Sequence, residues 1–122
     1  SLEDFIVMNF GRIKAFDDLE LIKRQYKLPS GQKIDLLCRD VRSGDLVVVE
    51  LKHDEADRGI VAQVFIYIDE LKQRALKEGV GIRALLITSK RDDSLLAMIG
   101  QLSRVTGFAV DWRTYTADLT LS

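Results

Sequence analysis

At 122 residues the chain suits one compact domain with a core of its own, and 47% apolar with 30% charged residues is an ordinary soluble globular composition. No apolar run approaches the roughly 20 residues that span a bilayer, and no leader-like segment precedes a cleavage-like site, so no membrane role and a cytoplasmic location are expected. A net charge of −1 argues against a surface that wraps nucleic acid throughout, and a single cysteine, Cys38, excludes an internal disulfide.

The chain starts on Ser1 and opens directly into a helical pattern, so a longer parent protein with a further N-terminal or C-terminal domain is expected. Leu2, Phe5, Ile6, Phe10 and Ile13 recur at helical spacing and predict an amphipathic helix that ends near Lys14 to Asp17. Glu3 lies off that stripe, where the helix dipole alone would favour a solvated acid. From Leu19 to Leu28 the chain alternates, with Leu19, Leu21, Tyr26 and Leu28 expected to point inward from a half-exposed strand, and Pro29-Ser30-Gly31 is a turn.

Two apolar runs follow, each carrying one acid. Asp35 sits among Ile34, Leu36, Leu37 and Cys38; Glu50 closes the run Leu46 to Val49 and is followed by Leu51 and Lys52. The turn signal Arg42-Ser43-Gly44-Asp45 joins the runs as an antiparallel hairpin, which can set Asp35 beside Glu50 and makes three consecutive strands a meander. Side chains two apart on a strand share a face, so Glu50 and Lys52 are expected to point the same way. Burying such charges is costly unless they are paired with each other, a ligand or a metal. Two neighbouring carboxylates repel, and a hard divalent cation such as Mg²⁺ or Mn²⁺ relieves that repulsion. In phosphodiester hydrolysis such an ion polarises a phosphoryl oxygen and activates water, while Lys52 stabilises charge on phosphorus or orients the attacking water.

Asp54-Glu55-Ala56-Asp57 supplies capping acids for a helix from Arg58 to Lys77, whose apolar stripe is Ile60, Val61, Val64, Phe65, Ile68 and Leu71. Gln63 and Tyr67, four apart, share an edge beside it; periodicity alone makes them a solvated amide and a tyrosine at the core margin. His53 is the only histidine, and with no second nitrogen or sulfur ligand nearby it argues against zinc and is a candidate for substrate contact. Gly79 and Gly81 end the helix, Ile82 to Thr88 reads as a buried strand, and Ser94 to Val105 as a final helix stopped by Gly107. Phe108, Val110 and Trp112 alternate along a last strand, with Trp112 and Tyr115 serving edge packing or a partner surface. The expected fold class is α/β, a mixed central β-sheet flanked by helices in the order αβββαβαβ, as a single domain over residues 1–122.

Asp35, fourteen intervening residues and then Glu50-Leu51-Lys52 resemble the PD-(D/E)XK nuclease superfamily, with Ile34 standing where that pattern has its proline. More closely, IDLLCRD, LVVVELKHDEADR and AQVFIYIDEL resemble the C-terminal nuclease domain of the NucS/EndoMS mismatch endonucleases, strongly from Ile34 to Tyr67 and weakly after about Gly81. The resemblance implies a restriction-endonuclease-like fold and a Mg²⁺- or Mn²⁺-dependent endodeoxyribonuclease acting on mismatched, branched or single-stranded DNA in repair or restriction. It implies catalytic roles for Asp35, Glu50, Lys52, Gln63 and Glu3, with Asp35, Glu50, the Leu51 carbonyl and Glu3 about the metal. It further implies DNA contact by Tyr67, to which His53 is added from its position, and a homodimer that cuts both strands. The rival expectation is that Asp35, Glu50 and Lys52 form a structural ion-pair network in a catalytically inactive DNA-binding or protein-interaction module.

Overall fold

The computed structural model describes residues 1–116 of the chain. Strands β1 (Leu19–Lys27), β2 (Lys33–Asp40) and β3 (Leu46–Leu51) form an antiparallel meander, and β4 (Ile82–Thr88) and β5 (Ala109–Thr114) extend it in parallel. Spatial order follows chain order, β1-β2-β3-β4-β5. Two parallel neighbours cannot be joined by a tight turn, so a helix spans each crossover: α2 (Arg58–Glu78) between β3 and β4, and α3 (Asp93–Thr106) between β4 and β5. With α1 (Leu2–Met8) in front, this is the mixed α/β sheet and the αβββαβαβ order expected from sequence.

Apolar residues cover both sheet faces. On one side Leu37, Leu46, Val48, Ala84 and Leu86 meet Val64, Ile68 and Leu71 of α2; on the other, Leu36, Val47, Val49 and Leu85 meet Leu2 and Ile6 of α1. The central strand is therefore buried from Leu46 through Glu50, which is why its sequence is nearly continuous Val and Leu. Asp57 caps α2 by accepting from the Ile60 N–H at 2.8 Å, and Gly79 ends it at φ +70°, a left-handed conformation that glycine adopts without a Cβ clash.

The first helix is shorter than its apolar spacing predicts. It stops at Met8, where the Asn9 side chain donates to the Phe5 carbonyl, and Phe10–Arg12 and Lys14–Phe16 continue as two short 3₁₀ turns. Phe10 stacks on Phe16 with ring centroids 4.8 Å apart, so turns bury the stripe that a longer helix would have buried. Trp112 is a core residue and donates its indole N–H to the Thr88 hydroxyl at 2.8 Å. Cys38 is buried, and burial pushes its thiol up to about 12, as suits a small apolar core residue. Among the described residues no helix is long and apolar enough to cross a membrane.

Candidate active site

The site forms where the β2–β3 ladder stops. Backbone pairing runs from Arg39 opposite Leu46 to Leu36 opposite Val49, so the next residues in the same register are Asp35 and Glu50. Their carboxylates take over from the ladder: Glu50 Oε1 accepts from the Asp35 N–H at 2.9 Å, and Asp35 Oδ2 accepts from the Leu51 N–H at 2.8 Å. Two strand-end donors that would otherwise lack partners are thereby satisfied. Each acid gives one oxygen to the opposite strand and keeps one, Asp35 Oδ1 and Glu50 Oε2, free of backbone.

A change in the pleat creates this geometry. Arg24 and Tyr26 are two apart on β1, yet Arg24 bonds to Glu3 and Asp4 of α1 while Tyr26 bonds to Arg74 of α2. Likewise Ile34 packs in the α2-side core and Leu36 in the α1-side core. Residues of equal parity lie on opposite faces, so the pleat inverts between them. The inversion coincides with Gln25, whose φ of +49° makes it the one non-glycine among the described residues in the left-handed region. With Arg24 opposite Leu36 and Tyr26 opposite Ile34, Gln25 faces Asp35.

Gln25 gathers a third acid. Its amide nitrogen donates to Glu3 Oε1 and, at 3.3 Å, to Asp35 Oδ1. Arg24 holds the other Glu3 oxygen at 2.6 Å and reaches Asp4 at 2.7 Å. Glu3 thus stands at one remove from the acid pair, tied to β1. Nothing in the sequence marks Gln25 beyond its place in an alternating stretch; register opposite Asp35 is what reveals it.

Burial and mutual repulsion set the electrostatics of the pair. Glu50 is 5% exposed, and burial first, then the charge of Asp35, pushes its carboxyl up to about 8. Burial also raises Asp35, with the Glu3 charge adding to it and the Leu51 N–H opposing it. In the pair, Glu50 holds the proton, because it is the more deeply buried. Neither acid has a Lys, Arg or His nitrogen within 4.0 Å among the described residues.

Of the other sequence candidates, Tyr67 is brought to the site: it is buried at 3% exposure, and burial followed by the Glu50 and Asp35 charges raises its hydroxyl. His53 lines a cavity of about 370 Å³ together with Glu3, Asp35 and Leu51. Gln63 is half-buried on α2 and makes no side-chain hydrogen bond among the described residues. Lys52 follows the last residue of β3, donates its N–H to the Ile87 carbonyl at 2.9 Å and lines a cleft with Asp54, Glu55 and Asp57; among the described residues it forms no ion pair with Glu50 or Asp35.

A divalent cation fits the donor chemistry: two adjacent acid groups, each with one oxygen free of backbone and without a cationic side chain among the described residues, and the Leu51 backbone beside them. As the side chains stand, no three His, Cys, Asp or Glu among the described residues are drawn tightly enough about one point to form a cage. Arg24 and Gln25 hold Glu3 to β1.

A mixed five-stranded sheet with α1 on one face, α2 on the other and acids at the open end of its central hairpin defines a restriction-endonuclease-like α/β domain. The model of the family described as "Endonuclease NucS C-terminal domain" matches residues 1–100, and the chain belongs to that family. Comparison with curated proteins and with solved structures found no match.

Proposed function

We propose that the chain is a Mg²⁺- or Mn²⁺-dependent endonuclease that hydrolyses DNA phosphodiester bonds at Asp35 and Glu50. The observation that carries this reading is the pair itself: two acids face each other at a ladder end, each with one oxygen bonded to the opposing strand and neither with a cationic partner among the described residues. A structural acid this deeply buried is ordinarily paired. In this reading Asp35, Glu50 and the Leu51 carbonyl hold the ion, with Glu3 as an outer acid. When bound, the ion supplies positive charge to a phosphoryl oxygen and lowers the pKa of a coordinated water. Lys52 turns from its acidic cleft to meet the charge that develops on phosphorus. Gln63 and Tyr67 border the phosphate from α2, and His53 lines the approach.

The net charge of −1 disfavours broad electrostatic binding of DNA, which makes a local contact around the site the expected mode. In this reading further contacts come from a homodimer. Mismatched, branched or single-stranded DNA in a repair role is favoured over restriction through membership of the NucS family. The rival reading, an inactive nuclease-fold module, takes its support from the lack of an ion pair between Lys52 and either acid among the described residues.

The purified chain is to be tested on single-stranded, mismatched, branched and plain duplex DNA, with and without Mn²⁺. Mn²⁺-dependent cleavage lost in Asp35→Asn, Glu50→Ala and Lys52→Ala is the expected result. Retained cleavage in any folded variant overturns the assignment. Mn²⁺ that neither binds nor raises Tm favours the inactive module.

A further inference from the structure

We infer that Gln25 is a positioning residue whose amide, by bridging Glu3 and Asp35, competes with a metal ion for the Asp35 oxygen that the backbone leaves free. The inference rests on the metal-dependent reading of the site and adds to it a residue that neither family resemblance nor sequence pattern marks.

Three observations meet at this residue. First, the Gln25 amide nitrogen is the only donor shared by Glu3 and Asp35 among the described residues, and it lies between Glu3 Oε1 and Asp35 Oδ1. Asp35 Oδ1 is the oxygen that the strand backbone leaves free, so the amide sits on the Asp35 oxygen open to a ligand. Second, the contact is held by backbone in an uncommon state. Gln25 is at φ +49°, a region in which a non-glycine residue is strained, and strain of this kind persists where the surroundings demand it. Third, Arg24 secures Glu3 from the other side, at 2.6 Å, so Glu3 reaches the pair only through Gln25.

The chemistry sets the direction of the effect. Amide N–H groups donate to carboxylates but cannot ligate a cation, so the metal-free state gains from this nitrogen and a metal-bound state that draws Asp35 Oδ1 onto the ion does not. A group that stabilises only the metal-free state opposes metal binding. Removing it lowers the stability of the metal-free protein and tightens the metal site. A residue that merely supports the fold would lower stability while leaving affinity unchanged or weaker.

The test is calorimetric titration with Mn²⁺, and thermal unfolding with and without the ion, on wild type and Gln25→Gly. Glycine keeps the left-handed backbone and removes only the side chain. The expected result is a lower Tm without metal together with Mn²⁺ binding about tenfold tighter, the scale of one hydrogen bond to a charged group. In a Glu3→Gln background, where one of the two bridged charges is gone, the gain should shrink. Wild type that binds Mn²⁺ with a Gly variant of equal or weaker affinity overturns the role of Gln25 alone. If wild type binds no Mn²⁺, the nuclease reading and this inference fall together. If Gln25→Gly does not fold, Gln25→Asn, which keeps an amide and tolerates positive φ but falls one methylene short, decides by the same comparison.

Discussion

The two ends of the β2–β3 hairpin carry similar acids in opposite circumstances. At the turn end every acid has an arginine: Asp40 and Asp45 share Arg83 at 2.8 and 3.1 Å, and Glu78 receives both Arg39 and Arg74 at 2.8 Å. Asp40 is held below the usual carboxylate range, chiefly by the Arg42 and Ser43 N–H groups and then by Arg83. At the open end Asp35 and Glu50 have backbone donors and each other, and both are raised. One end is electrostatically finished by the chain itself. At the other, the described residues supply hydrogen-bond donors but no cationic side chain, and that difference separates the acids of the turn end from the candidate functional pair.

The comparison is broken most directly at Glu50. Glu50→Gln retains the oxygen that accepts from the Asp35 N–H and removes the charge. Cleavage and Mn²⁺ binding should fall to background, whereas Tm of the metal-free protein at pH 8 should rise, because a buried repulsion is gone. A variant less stable than wild type at that pH would show that Glu50 already has its cation.

Next in size is the pH dependence of stability without metal. An unfolded glutamate titrates near 4.5, and folded Glu50 titrates at about 8. The folded state therefore binds the extra proton between these values, and stability is greatest below pH 4.5 as far as this group is concerned. It declines as pH rises towards 8, by on the order of a few kcal/mol. Denaturant unfolding at pH 5, 6.5 and 8 measures the slope, and Glu50→Gln should flatten it. Saturating Mn²⁺ should flatten it too, with about one proton released per ion bound near pH 7.

Much of this was legible in the sequence, and the parts that were not have physical reasons. The turn at Arg42 to Asp45 and two Val- and Leu-rich runs are strong hairpin signals, and pairing from Arg39–Leu46 onward then forces Asp35 opposite Glu50. Helix α2 was announced by Asp57 at one end and Gly79 at the other. The first helix was overextended because Phe10 and Ile13 keep its period while packing through 3₁₀ turns. Lys52 is expected on the face of Glu50 on period-two grounds, and its N–H carries the pairing of β3 with β4 one residue past Leu51 by donating to the Ile87 carbonyl at 2.9 Å, while its ammonium forms no ion pair with Glu50 among the described residues. Gln25 was invisible because its importance comes from a backbone inversion in a stretch that still alternates like a regular strand.

At the finished end, the expected effects are smaller and confined to stability. Arg83→Ala strips the cation from Asp40 and Asp45, and Asp45 also accepts from the Gly81 N–H at the start of β4. Tm should drop by about 5 °C with Mn²⁺ affinity unchanged, since these acids lie at the far end of the hairpin from Glu50. A change in metal affinity would mean that the two ends are coupled through the sheet.

Smallest of all should be Arg42→Ala. Arg42 pairs with Asp18 at 3.1 Å, but its side chain is 81% exposed and that of Asp18 50%, so water screens the attraction and ordering two mobile side chains offsets what is left. The Arg42 N–H to Asp40 bond belongs to the backbone and survives the substitution. Tm should stay within about 1 °C of wild type. A larger loss would show that an exposed pair at the turn matters as much as the Arg83 cluster. Exposure would then cease to separate the pairs that matter at the turn end from those that do not, and the contrast with Asp35 and Glu50 would rest on arginine partners alone.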